Sequence, residues 1–419
     1  MTGVTVGPSD FIRPPYRTCP HCERLGFGIW VIGRDRYSRK CRDCFHEGPS
    51  VSLPDLDKKV IYLDQFAISN MMKASNPNRN TRNSGALDPF YSQLLMMIKR
   101  LTQMQLIVCP SSFTHTWESL ASPFFESLET FYDMLSYGIK FYDAHSIRRF
   151  QLEDHAKHWL RGEPDRPPEL DVQAVLIGSK DAWPPNLRVK FNARYNDRAI
   201  EELVRWRNEV HQGLCQVFRR WATERHKTYR DWFEEELKSF GQTMLKSYKD
   251  HVISSFNSLL RNDVMLEAPE SVYAVQAVMQ VFREEGIPQE QLLSKASEYF
   301  LSPHLRHVPS IRISSMLYAA LARKVAGGQK RPPSRGMAND VEVLSALLPY
   351  CNAMFVDKEC HALLSEEPLR SELGFGIKVF SLNNKQDFLV YLKDIEKSAS
   401  QDLMMALVEL YGDSWRGQD

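Results

Sequence analysis

Four short apolar runs, each leading into a helical pattern, constrain this chain more than any other feature. They are VIYL at 60–63, LIVC at 106–109, AMFV at 353–356 and KVFS at 378–381. All are rich in β-branched and aromatic residues and have the length of strands. Strands alternating with helices form a parallel sheet, because parallel neighbours need a crossover connection that a helix supplies. The runs fall in two groups, one near each end of the chain. Between them, residues 125–305 carry few strand signals. Apolar positions such as Ile200, Leu203, Val204, Val210, Leu214, Val217, Phe218 and Trp221 recur there at helical spacing, with charged residues in the gaps. The expected fold class is therefore α/β, a parallel-sheet domain interrupted by a large, mostly helical insertion.

Local signals fill in the connections. Residues 64–74 read as a short helix and 75–89 as a polar loop. A helix is expected from Asp88, with Asp88 as N-cap and Pro89 in the first helical position. After Pro110, Ser111 or Ser112 can cap a helix carrying His115, Trp117 and Glu118. SIRISSMLYAALARKV and NDVEVLSALLPY are helix candidates near the second strand group, the latter with Asn339 or Asp340 near its start. HALLSEE and DFLVYLKDI are also helical.

Residues 1–55 are different: rich in Pro, Gly, Arg and Cys, with little helical periodicity. Cys19 and Cys22 (CPHC) and Cys41 and Cys44 (CRDC) have the spacing of a zinc site. Each C-x-x-C turn aims two thiolates at one ion, and two turns complete a tetrahedron. FGIWVIG between them can form a hairpin strand. The ion expected is structural Zn²⁺ in a zinc-ribbon-like module. The alternative, two disulfides, is disfavoured in a cytoplasmic chain. The remaining cysteines, Cys109, Cys215, Cys351 and Cys360, read as small buried hydrophobes. Arg34, Arg36, Arg39, Lys40 and Arg42 cluster beside Tyr37 and Trp30, a combination suited to a phosphate backbone and unstacked bases. A solvated face on a docking module is the other reading.

Asp64 directly follows VIYL, and Asp357 follows AMFV. In open α/β sheets, ligands bind beyond the carboxyl ends of the strands, so both acids belong on one edge. Asp340 lies near a helix start, and Glu118 lies in the helix after the second strand. Gathered carboxylates repel one another, which a hard divalent cation such as Mg²⁺ or Mn²⁺ relieves.

These residues carry a resemblance. YLDQ after a lysine-led strand, the PSS-to-WE element and NDVEVLSALLPYCNAMFVDKE together resemble a PIN-like nuclease domain over about residues 58–125 and 309–395. The resemblance implies metal-dependent endonucleolytic cleavage, most often of RNA, with Asp64, Glu118, Asp340 and Asp357 as the catalytic, Mg²⁺- or Mn²⁺-binding acids. Glu342 and Glu359 are alternative ligands. The implied organisation is a zinc-ribbon-like module at 1–55, a PIN-like domain in two parts at 56–125 and 309–397, a helical insertion at 126–308, and a C-terminal helix and tail at 398–419.

Composition narrows the classes. Formal net charge is +1, from 53 basic and 52 acidic residues, so a nucleic-acid partner must use a local patch. No apolar run reaches the roughly 18 residues of a membrane span, and MTGVTVGPSD lacks the features of a signal peptide, so a cytoplasmic protein with no membrane partner is expected. The helical insertion offers a surface for homo-oligomerisation. An aspartyl-nucleophile phosphatase needs a second acid two residues after the first, where Phe66 stands. No phosphate-binding G-x-x-x-x-G-K-[ST] loop is present. The non-enzymatic alternative is a nucleic-acid-binding or protein-docking module with a vestigial acidic site.

Overall fold

The computed structural model describes residues 8–75, 88–120, 122–185, 197–261, 268–374 and 376–412. Most of the loop expected at 75–89, and the tail beyond 412, lie outside the described residues. Strands β5 (Lys59–Leu63), β6 (Ile107–Val108), β9 (Ala353–Phe355) and β10 (Lys378–Phe380) form one sheet in the order β10-β9-β5-β6. Every pairing in it is parallel, as the strand–helix alternation predicts. From β5 the chain moves to β6 on one side and later to β9 on the other. The gap between β5 and β9 is thus a topological switch point.

Period-two alternation sends successive side chains of β5 to opposite faces. Ile61 and Leu63 join Phe355 and Phe380 in one core, whereas Val60 and Tyr62 join Met354 and Val356 in another. The first core is covered by α1 (Gln65–Ala74), α2 (Phe90–Gln103), α4 (Phe125–Ser136), α14 (Lys385–Lys397) and α15 (Gln401–Tyr411). Helix α4 follows the short α3 (Phe113–Ser119) and was expected to open the insertion, yet its Leu128, Phe131 and Leu135 pack in this core of the sheet. Helix α2 begins at Phe90, one residue later than expected, although the Asp88 carboxylate accepts the Phe90 N–H at 3.0 Å.

The second core lies beneath α10 (Pro309–Ala326), α11 (Met337–Leu347), α12 (Lys358–Ser365) and the single turn α13 (Leu369–Glu372). The long helices α6 (Asp197–Thr223) and α7 (Tyr229–Arg261) contribute Leu214, Trp221 and Trp232 to it. A third core unites α5 (Ala144–Leu160), α8 (Glu270–Glu284) and α9 (Leu292–Phe300) with α7 and the start of α10. Gly241 of α7 is forced by this packing, since a Cβ there would lie 1.7 Å from the Phe300 carbonyl oxygen. Toward the end of α7, Ile253, Phe256 and Leu260 are exposed. The insertion also holds a small antiparallel pair, β7 (Lys140–Phe141) and β8 (Leu176–Ile177), too short to leave a sequence pattern.

The N-terminal module is a four-stranded antiparallel sheet of β1 (Arg13–Thr18), β2 (Leu25–Ile32), β3 (Arg36–Cys41) and β4 (Val51–Ser52). Strands β2 and β3 make the expected hairpin, with Phe27 opposite Cys41 and Ile32 opposite Tyr37. Ile29, Ile32 and Tyr37 belong to the first core of the α/β sheet, so the module is packed onto it. No helix among the described residues is long and apolar enough to cross a membrane.

Candidate functional site

The register of the central sheet places the first two acids together. Leu63 pairs with Phe355, and the Asp64 N–H donates to the Phe355 carbonyl at 3.0 Å. Asp64 and Asp357 therefore leave adjacent strands at the switch point. Each also caps the helix it precedes. Asp64 accepts the Phe66 N–H at 3.4 Å, and Asp357 accepts the Cys360 N–H at 2.6 Å. The N-terminal ends of α1 and α12 thus both point at the same edge, where backbone N–H groups favour negative charge.

Asp340 arrives from the facing layer. It lies in the first turn of α11, which begins at Met337, so Asn339 and Asp340 stand near the helix start as expected. Its carboxylate, that of Asp357 and the Cys360 sulfur lie within 4.8 Å of one another. Glu118 comes from α3, whose position has a traceable cause. Ser112 and His115 form a reciprocal capping box. Because Nδ1 of His115 accepts the Ser112 N–H at 3.1 Å, the proton resides on Nε2, which donates to the Leu63 carbonyl at 2.9 Å. The ring is stacked between Tyr62 and Tyr132, with centroids 5.1 and 5.2 Å away. His115 thereby ties the helix carrying Glu118 to the residue before Asp64.

Electrostatics connect all four acids. Burial, then the Glu118 and Asp357 charges, push the Asp64 carboxyl up to about 7. Burial, then Asp64, Asp357, Glu118 and Glu359, push Asp340 up to about 8. Glu118 is raised by burial, opposed by the nearby Arg207 guanidinium of α6 and by a hydrogen bond from Asn339. Burial and the neighbouring carboxylates drive the Cys360 thiol far upward, so it stays protonated and offers no thiolate. The charged donors are hard carboxylate oxygens, which fit Mg²⁺ or Mn²⁺ by chemistry. Of the alternative acids, Glu342 pairs with His145 at 3.2 Å instead, while Glu359 is exposed nearby. Asn339, Arg207 and the positioning role of His115 had no sequence signal beyond the S-x-x-H spacing of the capping box.

The four N-terminal cysteines converge as their spacing predicts. Cys19, Cys22, Cys41 and Cys44 have sulfurs within 4.8 Å of one another and form no disulfide. The cross-pairs Cys19–Cys44 and Cys22–Cys41 stand 3.6 Å apart, close to the roughly 3.8 Å edge of a tetrahedron with 2.3 Å zinc–sulfur bonds. The two turns repeat one conformation. The His21 and Asp43 N–H groups each approach the first sulfur of their pair at 3.4 Å. Glu23 and Phe45, one residue past each second cysteine, are left-handed at φ 60° and 58°. This cluster can hold a structural metal such as zinc.

The basic patch is not uniform. Arg39 is 6% exposed, where the sequence reading placed it on a nucleic-acid-binding surface. Its guanidinium donates to the Glu409 carboxylate of α15 and to the carbonyls of Pro15, Phe27 and Glu409. Arg17 also pairs with Glu409, and the Tyr37 hydroxyl donates to it at 2.6 Å. Arg39 is therefore the clamp of the module onto the C-terminal helix, because buried guanidinium groups require partners. Lys40 lies over the Trp30 ring near Glu47, and Arg42 over Tyr16. Arg34, Arg36 and Arg42 remain exposed. Comparison with family models, with curated proteins and with solved structures finds no match to this chain.

Proposed function

We propose that the protein is a PIN-like, metal-dependent endonuclease that hydrolyses phosphodiester bonds, with RNA as the favoured substrate. The observation that carries this reading is the meeting of Asp340 and Asp357 within 4.8 Å at the switch point of a parallel sheet, with Asp64 leaving the adjacent strand and Asp64 and Glu118 near enough to raise the proton affinity of Asp340. Asp64, Asp340 and Asp357 would hold Mg²⁺ or Mn²⁺. Such an ion supplies charge neutralisation at the phosphoryl group and an acidified water. Glu118, oriented by Asn339, accepts a proton from the attacking water at a carboxylate oxygen. The water oxygen bonds to phosphorus as the bond to the departing nucleoside oxygen breaks, and that oxygen takes up a proton from solvent. Arg207 faces the substrate phosphate from α6. Arg34, Arg36 and Arg42 offer a peripheral contact for the strand, and the four-cysteine module acts structurally.

Cleavage of labelled RNA and DNA with Mn²⁺ tests this reading, comparing wild type with Asp64→Asn and Asp357→Asn. Removing a ligand that stabilises the transition state by several kcal/mol lowers the rate at least about a hundredfold. Equal cleavage by the variants sinks the assignment. The second reading, a binding or docking module with a vestigial acidic site, draws on the exposed Arg34, Arg36 and Arg42 of the N-terminal module. It predicts RNA retention without cleavage, weakened by Arg34→Ala and Arg42→Ala.

A further inference from the structure

Away from both clusters, Pro303–His307 forms a short turn of 3-10 helix. Side chains three residues apart share one face of such a turn, so His304 and His307 stand together. Asp165, in the loop after α5, meets both. Nδ1 of His304 lies 2.9 Å from its Oδ1, and Nε2 of His307 lies 3.2 Å from the same oxygen. The three ligand atoms lie within 4.8 Å of one another. An ion with bonds of about 2.0–2.1 Å to nitrogen and oxygen keeps tetrahedral ligands roughly 3.3 Å apart. Two edges of the required figure are therefore already close to length.

The loop is braced from behind. His155, buried beneath it, bonds the Pro164 carbonyl through Nε2 at 3.0 Å and the Tyr299 hydroxyl through Nδ1 at 3.0 Å. Since a carbonyl only accepts, Nε2 of His155 carries the proton and Nδ1 accepts from Tyr299. On the far side, the Glu169 N–H donates to Asp154 at 2.8 Å. The side chains of His304 and His307 are 35% and 31% exposed, and that of Asp165 is 74% exposed. Solvent thus reaches the position a fourth ligand would take.

We propose that Asp165, His304 and His307 form a second metal site for a borderline divalent ion such as Zn²⁺, with water as fourth ligand. Two imidazoles and one carboxylate suit such ions and not Mg²⁺, which prefers oxygen throughout. On binding, each ring frees the nitrogen now facing Asp165 and keeps its proton on the other. The ion cross-links the loop after α5 to the turn that leads into α10. This inference is independent of the nuclease reading.

The test uses full-length protein carrying one equivalent of thiolate-bound zinc, in buffer with excess Mg²⁺ to occupy oxygen-only sites. Calorimetric titration with Zn²⁺ is expected to show one further equivalent. Titration with Co²⁺ is expected to show the intense visible d–d bands of a four-coordinate site without sulfur charge-transfer absorption. Asp165→Asn, at an exposed position where folding is not at stake, weakens binding by about tenfold or more, and the double variant His304→Ala with His307→Ala abolishes it. His226→Ala, at an exposed position between α6 and α7, leaves it unchanged. Absence of a further equivalent in wild type, or equal binding by Asp165→Asn and the double variant, overturns the proposal.

Discussion

Replacing Asp340 with asparagine removes one charge from the acidic edge and keeps the side chain's shape. In the fold, burial and the neighbouring acids hold Asp340 near 8 and Asp64 near 7, whereas both return to about 3.9 in the unfolded chain. An acid whose pKa is raised by folding contributes stability below its unfolded value, and that contribution is lost as pH rises through its folded value. Without a divalent ion at the site, the unfolded chain releases these protons near pH 4 while the fold retains them to pH 7 or 8. Each pKa unit is about 1.4 kcal/mol, so the Asp64 shift corresponds to about 4 kcal/mol and the Asp340 shift to about 6 kcal/mol. Burial is the first cause of both shifts and Asp64 contributes to that of Asp340, so the two titrate as a coupled pair. His115 and His155, both pushed down to about 4 by burial, act in the opposite sense below about pH 6.5. The informative quantity is therefore the difference between wild type and Asp340→Asn. Urea unfolding should show the variant gaining relative to wild type from pH 4 to pH 8, reaching on the order of 5 kcal/mol. The protein must be zinc-loaded and free of chelator, since a chelator would strip the thiolate site. Added Mn²⁺ should reverse the order at pH 8 by stabilising wild type more. A difference that stays constant across pH would refute the reasoning.

Arg39→Ala removes the guanidinium that joins Glu409 to the Pro15 and Phe27 carbonyls, leaving Glu409 to Arg17 and Tyr37, and should cost about 2–3 kcal/mol, read as earlier thermal unfolding and as faster proteolytic release of the N-terminal module. His115→Phe keeps the stack between Tyr62 and Tyr132 but loses the bonds to Leu63 and Ser112, at a cost of about 2 kcal/mol above pH 7. That cost should shrink toward pH 4, because the buried neutral ring opposes folding as the unfolded imidazole takes up a proton. An equal cost at both pH values would contradict this. Gly241→Ala drives a methyl into the Phe300 carbonyl and should destabilise by about 3 kcal/mol or more in urea titration. Cys41→Ser should lose about one zinc per chain by metal analysis; unchanged zinc would rule out the four-thiolate site.

Much of the central sheet was legible because its signals are local. The runs VIYL, LIVC, AMFV and KVFS carry strand chemistry within a few residues, and their parallel pairing follows from the helices between them. The same holds for Asp64 and Asp357, whose places depend only on where a strand stops. It holds also for the two C-x-x-C turns, each a self-contained conformation. Less was legible where a pattern serves two masters. Helix α4 has the same amphipathic period as the helices of the insertion, so periodicity could not tell which core its Leu128 and Phe131 would join. Arg39 has the composition of a binding patch, but its alternation along β3 points it inward with Tyr37 and Cys41.

The chain's own order of residues thus determined the sheet, its acidic strand ends and the cysteine turns, because hydrophobic periodicity and turn chemistry act over a handful of positions. Only the tertiary structure decided which distant groups meet. Glu118 reaches Asp64 because His115 bonds the Leu63 carbonyl. Asp340 reaches Asp357 because α11 packs on the opposite face of the sheet. Asp165 reaches His304 and His307 because His155 holds the Pro164 carbonyl. Each of these contacts depends on how several helices bury their apolar faces at once, and no window of sequence contains that arrangement.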